Sequence, residues 1–241
     1  MEGPKVQLVV TCLVDALAPH VGRATVSALE KAGCDVEFPR DQTCCGQPAF
    51  NVGMVDQARD MAKHTLDALD TTEGPIVVPS GSCAEMIVHH YPELFEGTAR
   101  EEQAARVAER TREFSQFLVD DLEAGLRAAC GGCSIAFHYS CHGLRGLGLD
   151  HQADELIDDD DRVELVGDKE CCGFGGLFSV EMPAVSAAIM NDKLDKVEAS
   201  NAEVLVGSDV SCLLHLEGGL RRRGSSVAVK HVAELLAGDQ P

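Results

Sequence analysis

Short apolar runs alternate along this chain with longer segments in which apolar side chains recur every three or four residues. Residues 6–11 form an apolar run, and apolar side chains follow at helical spacing from residue 19 to residue 32, before Gly33. An apolar run predicts a buried strand, and the 3.6-residue period predicts an amphipathic helix. The same patterns predict strands at 34–38, 76–78, 135–139, 204–206 and 227–229, and helices at 52–69, 83–90, 101–126, 180–199, 213–222 and 231–236.

The predicted strands and helices alternate, and the succession runs twice along the chain. Parallel strands need a crossover connection, which is usually a helix, so this order predicts parallel sheets covered by helices. We therefore predict an α/β protein of two tandem halves, residues 1–125 and 126–241, related by a pseudo-twofold axis. Each half would be a mostly parallel sheet flanked by helices. No low-complexity linker separates the halves, so we expect them to pack closely.

Eight of the eleven cysteines form two copies of one pattern. Each copy has a single cysteine, an adjacent pair followed by glycine, and a last single cysteine. Corresponding cysteines of the two copies are offset by 127 or 129 residues. The first set is Cys12, Cys44, Cys45 and Cys83, and the second set is Cys141, Cys171, Cys172 and Cys212.

Four thiolates are the donor set of a tetrahedral zinc ion or of an iron–sulfur cluster. Zinc ligands are commonly two to four residues apart, whereas adjacent cysteines can bind different irons of one cluster. The pattern therefore favours an iron–sulfur cluster in each half, and a zinc-stabilised scaffold without a redox role is the alternative. Because the single cysteines follow predicted strands, we expect each set to converge at the carboxyl edge of its sheet.

The charge of the chain restricts its partners. It has 40 acidic and 20 basic residues, a formal net charge of −20, which repels nucleic acid and anionic membranes. No apolar run approaches the roughly 18–20 residues that cross a bilayer, so we expect no direct membrane insertion. The N-terminal segment lacks the layout of a signal peptide. We therefore expect a cytoplasmic protein whose cysteines bind metal instead of forming a disulfide framework.

The repeated Cys-Cys-Gly, with residues 79–83 (Pro-Ser-Gly-Ser-Cys) and 138–145 (His-Tyr-Ser-Cys-His-Gly-Leu-Arg), resembles the CCG cysteine-rich domain family. That family includes the cysteine-rich subunit of heterodisulfide reductase and the iron–sulfur subunit of glycolate oxidase. The resemblance implies an electron-transfer subunit of an oxidoreductase complex, with one iron–sulfur cluster bound by each of the two cysteine sets. It also implies, for a chain this short, a role in oxidation of L-lactate to pyruvate. Glycolate, another 2-hydroxy acid, or a heterodisulfide-reductase-like role are the alternatives.

Larger relatives carry an additional ferredoxin segment of closely spaced cysteines, which this sequence lacks. The resemblance therefore implies separate ferredoxin-like iron–sulfur partner subunits and no catalysis by this chain alone. The five-cysteine form of the motif ends in Cys-x-x-Cys, and here Ser80 and Asp209 stand at the first of those two positions. The cluster type stays open: a four-iron cluster, a smaller cluster, or a site with one open iron. Asp209 is either a weak oxygen ligand or a helix N-cap.

The remaining cysteines and histidines give weaker signals. Cys130 and Cys133 have thioredoxin-like spacing, which alone is a weak indication of redox activity. Cys34 resembles a small buried apolar residue. His138 and His142 flank Cys141 and are either hydrogen-bond donors to a cluster or structural residues. We predict no ligand among the histidines that follow the last cysteine of each set, which are His89, His90 and His215.

Overall fold

The computed structural model describes residues 3–128, 130 and 132–238. The outermost residues of the two predicted halves, 1–2 and 239–241, lie outside these ranges. The described residues form two sheets in which every pairing is parallel. The first sheet has the order β2-β1-β3-β4, and its strands are β1 (Lys5–Leu8), β2 (Asp35–Glu37), β3 (Ile76–Val78) and β4 (Thr111–Glu113). The second has the order β5-β6-β7, and its strands are β5 (Ile135–His138), β6 (Val204–Gly207) and β7 (Ala228–His231).

Helices connect the strands and cover the sheets, as the alternation predicts. In the first half they are α1 (Cys12–Leu17), α2 (Pro19–Lys31), α3 (Gln47–Asn51), α4 (Val55–Leu69), α5 (Gly81–Glu85), α6 (Tyr91–Phe95), α7 (Glu101–Arg110) and α8 (Phe114–Gln116). In the second half they are α9 (Gln152–Leu156), α10 (Phe178–Glu181), α11 (Pro183–Ala199), α12 (Val210–Arg223) and α13 (Val232–Ala237). π-helical turns cover Met86–His90, Phe117–Asp121 and His142–Gly146, and a 3₁₀ turn covers Asp159–Asp161.

Three of the strands are buried on both faces. Every residue of β3, β5 and β6 is buried. Strands covered on both faces by helices are typical of parallel sheets, and their apolar runs lack alternation for that reason. The fold class predicted from the sequence, two tandem parallel-sheet halves flanked by helices, is confirmed. Within the described residues no helix combines the length and apolarity needed to cross a membrane.

The prediction of a single long helix at 101–126 is wrong. The helix ends at Arg110, and the chain then forms the edge strand β4, which pairs with β3. A new helix begins at Phe114 because the Glu113 carboxylate accepts the N–H groups of Ser115 (2.7 Å) and Gln116 (3.2 Å). An acidic N-cap of this kind competes with continuation of the preceding helix.

The two halves share part of their interior. The largest apolar cluster joins Leu8 and Val77 of the first sheet to Phe137 and Val206 of the second. Each half also has a cluster of its own behind its sheet. The close packing predicted from the missing linker is therefore present. We propose that the boundary between the two halves lies between residues 125 and 126.

Each Cys-Cys-Gly turn is packed directly against a long helix of its own half, α4 for the first turn and α11 for the second. Gly46 and Gly173 both have φ of +88°, in the left-handed region that favours glycine. A Cβ at Gly46 would lie 2.9 Å from the carbonyl oxygen of Ala58 in α4, and a Cβ at Gly173 would lie 2.6 Å from that of Ser186 in α11. Both turns therefore require glycine for conformation and for space.

We predict that Gly46→Ala and Gly173→Ala each lower the free energy of unfolding by about 2–5 kcal/mol. About 1–2 kcal/mol comes from left-handed strain, and about 1–3 kcal/mol from forcing a methyl group against a carbonyl oxygen. Chemical denaturation of the purified variants measures the loss.

Gly53→Ala and Gly148→Ala are the matched controls. Both positions have positive φ and nothing within 4 Å of a Cβ, so they should lose only the strain of about 1–2 kcal/mol. Equal losses in all four variants would contradict the tight packing of the two turns.

Candidate metal centre

The structure brings all eight cysteines of the two sets to one cavity of about 320 Å³. Both halves contribute to its walls, and the single cysteines of the two sets follow the carboxyl ends of β1, β3, β5 and β6. Loops at these strand ends meet in parallel sheets, which is the reason residues about 70 positions apart can converge. The convergence of each set was predicted from the sequence. The sequence did not predict that the two sets open into the same cavity.

The first set consists of two close pairs of sulfur atoms. Cys12 Sγ lies 3.7 Å from Cys44 Sγ, and Cys45 Sγ lies 3.3 Å from Cys83 Sγ. Cys12 begins α1, whose N-cap is Thr11. Cys83 lies in the first turn of α5, and its N–H donates to the hydroxyl of the N-cap residue before it.

Buried polar contacts hold the adjacent pair of the first set. The Tyr91 hydroxyl donates to the carbonyl oxygen of Cys45 at 3.0 Å. The Gln42 side chain accepts the N–H of Val10 at 2.7 Å and donates to the carbonyl of Leu8 at 3.1 Å. These bonds fix the loop before the cysteine pair to the end of β1, so the pair is positioned by the sheet.

The second set has the same arrangement with different supports. Cys172 Sγ lies 2.9 Å from Cys212 Sγ, and Cys171 Sγ accepts the N–H of Gly173 at 3.3 Å. The ammonium group of the buried Lys193 donates to the carbonyls of Gly167 (2.6 Å) and Asp168 (2.9 Å), in the loop that leads to the cysteine pair. Burial lowers the pKa of Lys193 to about 8.

Thiols that donate to a neighbouring thiol favour one thiolate in each half. Hydrogen bonds from Cys12 and then Cys45 lower the pKa of Cys44 to about 3 and raise the pKa of both donors. Cys141 and Cys172 likewise lower the pKa of Cys171 to about 2. Thiolate is the form of cysteine that binds metal.

No lysine or arginine side chain among the described residues lines the cavity that these thiols share. Several thiolates in a partly buried, mostly apolar cavity repel one another unless a positive charge lies between them. Metal ions supply that charge, so the donor set and its surroundings fit a metal centre. All eight predicted ligands are available to such a centre.

Asp209 is a helix cap that also joins the two halves. Its Oδ1 accepts the N–H (3.1 Å) and hydroxyl (2.6 Å) of Ser211 at the start of α12. Its Oδ2 accepts the hydroxyl of Ser80 (3.1 Å) and the N–H of Ser82 (2.9 Å) at the start of α5. Of the two alternatives for Asp209, the structure therefore shows the N-cap. Ser80 is the corresponding N-cap of α5.

The two histidines beside Cys141 have different surroundings. His138 is the last residue of β5 and is 1% exposed, and neither of its ring nitrogens has a hydrogen-bond partner. One of these nitrogens and the sulfur atoms of Cys172 and Cys212 lie within 4.8 Å of one another. Burial lowers the pKa of His138 to about 3, so its ring is neutral. His142 instead pairs with Glu85, and that hydrogen bond raises its pKa.

The histidines that follow the last cysteine of each set, and the other cysteines, do not line the cavity. His89 contacts the carbonyl of Gly146, His90 pairs with Glu93, and His215 lies 3.4 Å from the Ser186 hydroxyl. Cys34 is buried in the shared apolar cluster. Two further cysteines, Cys130 and Cys133, form a disulfide, while Gly131 between them lies outside the described residues.

Comparison with known proteins agrees with this geometry. A family model described as the CCG cysteine-rich domain matches the chain twice, over residues 6–88 and 135–217. Lactate utilization protein A of Exiguobacterium sp. is 42% identical over 238 residues, which cover 97% of this chain and 97% of that protein. Lactate utilization protein A 2 of Bacillus mycoides is 43% identical over 236 residues, which cover 96% of this chain and 98% of that protein. The two domain matches, and similarity along nearly the whole length, establish that this chain belongs to the CCG cysteine-rich domain family together with these lactate utilization proteins.

Proposed function

We propose that this protein is an iron–sulfur electron-transfer subunit of an oxidoreductase complex that serves lactate utilization, with L-lactate oxidised to pyruvate. The observation that carries the proposal is the convergence of eight thiols on one cavity whose described lining has no lysine or arginine. The names of the full-length relatives support the lactate assignment. Each cysteine set would hold one cluster, and a four-iron cluster is the leading type.

The adjacent cysteines favour iron–sulfur clusters over zinc. Cys44 and Cys45, like Cys171 and Cys172, pair with different partners within their own sets. Neighbouring thiolates that point to different partners suit a centre with several metal atoms better than a single tetrahedral ion. A zinc-stabilised scaffold remains the alternative that metal analysis must exclude.

A cluster bound at each set would accept and donate single electrons. The chain's own residues would hold it in place and exclude water. Leu13, Phe174 and Leu177 form apolar parts of the cavity wall, which reduce solvent access to the thiolates.

Oxidation of a 2-hydroxy acid requires a group that takes the hydroxyl proton and an acceptor for the hydride. Apart from the thiols, the titratable side chains among the described lining residues are His142 and Asp209. His142 already pairs with Glu85, and both oxygens of Asp209 already accept hydrogen bonds. The cavity therefore suits electron relay, and we infer that ferredoxin-like partner subunits complete the route. Glycolate or another 2-hydroxy acid as electron source is the closest alternative.

The first prediction for this proposal concerns the cofactor. Protein purified without oxygen should be brown, with broad visible absorbance and several irons per chain, because thiolate-to-iron charge transfer accompanies the proposed ligation. Metal analysis and absorption spectroscopy measure both properties. Colourless protein with stoichiometric zinc would contradict the redox assignment and favour the scaffold.

The second prediction concerns the independence of the two sets. Cys45→Ser should lower the iron content by about one cluster and leave the second set loaded, and Cys172→Ser should do the converse. Cys34→Ser is the matched control, because Cys34 is equally buried but lies outside both sets, and its iron content should be unchanged. If either ligand variant empties both sets while remaining folded, the two-centre assignment is wrong.

The third prediction concerns activity in isolation. The purified chain should not reduce an artificial acceptor with L-lactate, because its described cavity offers no free acid–base group for the substrate. Activity should appear when the iron–sulfur partner subunits are co-purified with it. A lactate-dependent dye-reduction assay on both preparations makes the comparison, and robust turnover by the isolated chain would overturn the assignment as a subunit.

A further inference from the structure

His138 is a polar side chain that is buried without a hydrogen bond to compensate for its loss of water. It is 1% exposed, and both ring nitrogens lack a hydrogen-bond partner. An unpaired buried polar group of this kind destabilises the folded state, because it gives up its hydrogen bonds to water without replacement. Proteins keep such a group where it has a task, often with an ion that supplies the missing partner.

The nearest groups that could use a ring nitrogen are the thiols of the second set. A nitrogen of His138 and the sulfur atoms of Cys172 and Cys212 form the group of three candidate ligands whose donor atoms lie within 4.8 Å of one another. A metal atom placed between these donors can be reached by all three. Imidazole nitrogen is a common ligand of zinc and of iron.

The first half has no equivalent donor at this position. The residue corresponding to His138, by the 129-residue offset of the single cysteines, is Val9. Val9 is buried in the same apolar cluster as Cys45 and Cys83, the cysteines that correspond to Cys172 and Cys212. The two halves therefore differ in the side chain that faces their matching thiol pairs.

Asp209 stands where the five-cysteine form of the motif has a fifth cysteine, but it is not free to bind a metal in place of that cysteine. Each of its carboxylate oxygens already accepts two hydrogen bonds at the starts of α5 and α12. Removing it from these donors to bind a metal would release both helix starts.

We propose that His138 supplies a nitrogen ligand to the metal centre of the second cysteine set, so that the two centres of this chain differ in their ligands. The inference rests on the proposed function, since it needs a metal centre at Cys141, Cys171, Cys172 and Cys212. A neutral nitrogen in addition to four thiolates, or in place of one, leaves a centre with different electronic properties from the all-thiolate first set. Replacement of thiolate by imidazole raises the reduction potential of an iron–sulfur centre.

The test uses the full chain in two backgrounds that each retain one centre. Cys45→Ser protein should hold the second centre, and Cys172→Ser protein the first. Each is prepared with ¹⁵N-labelled histidine or with histidine of natural isotope content, reduced, and examined by pulsed electron paramagnetic resonance. We expect an isotope-dependent nitrogen coupling of directly bonded strength in the Cys45→Ser background and none in the Cys172→Ser background.

His138→Gln in the Cys45→Ser background should abolish that coupling and shift the reduction potential of the remaining centre. The matched control is His231→Asn. His231 is as buried as His138 and also has an unpartnered ring nitrogen, but it caps α13, a role that Asn can fill. The control should leave the coupling and the potential unchanged. Because the isotope comparison needs no change at residue 138, it decides the proposal even if the glutamine variant fails to fold.

The outcomes separate this inference from the proposed function. An iron-loaded second centre without nitrogen coupling, or with coupling that survives His138→Gln, overturns the ligand assignment and leaves the electron-transfer proposal standing. Zinc in place of iron overturns the electron-transfer proposal. The presence or absence of imidazole scattering at the zinc absorption edge, in the Cys45→Ser background, would then support or overturn His138 as a ligand. A chain that binds neither metal contradicts both proposals.

Discussion

A buried carboxylate at the junction of the two halves is the interaction on which the geometry of the cavity depends. Asp209 is 2% exposed and accepts four hydrogen bonds, two from the start of α12 and two from the start of α5. These helices carry Cys212 and Cys83. A carboxylate so enclosed is stable only while its donors remain in place, because an unpaired buried charge is costly. The same bonds that satisfy the charge therefore fix the last cysteine of one set relative to that of the other.

Hydroxyl groups cap the turns beside the other two single cysteines in a similar way. The hydroxyl of Thr11, which precedes Cys12, accepts the N–H of Val14 at 3.3 Å. The hydroxyl of Ser140, which precedes Cys141, accepts the N–H of Gly143 at 3.1 Å. Each single cysteine thus lies in or beside a capped turn, whose backbone is held before any metal is bound. The adjacent pairs are held differently, by glycine turns packed against α4 and α11. A metal centre that binds these thiols would therefore enter a largely preformed site.

Much of this arrangement could be predicted from local sequence patterns, and the reasons for the exceptions are physical. Apolar runs and helical periods predicted most elements, and the strand-end rule predicted that each cysteine set converges. The sequence did not predict strand β4, because the amphipathic pattern of α7 continues past Arg110. The local signal for a break is Glu113, which caps the next helix. How the halves face each other is a long-range property, so the single cavity shared by both sets could not be predicted. Nor does the sequence reveal that His138 is buried without partners.

The differences between the halves are concentrated near the second cysteine set. Ser80 corresponds to Asp209, and Val9 corresponds to His138, so the second half has the charged cap and the buried imidazole. Among the described residues, the segment that corresponds to β2 contacts β5 through a bridge between Ile135 and Arg162 instead of a strand. Two identical centres in one cavity would give an electron no preferred direction. Different donors and different surroundings would give two centres bound at these sets different potentials. The departures from symmetry in this fold are therefore of the kind that would make a duplicated metal site into a directional relay.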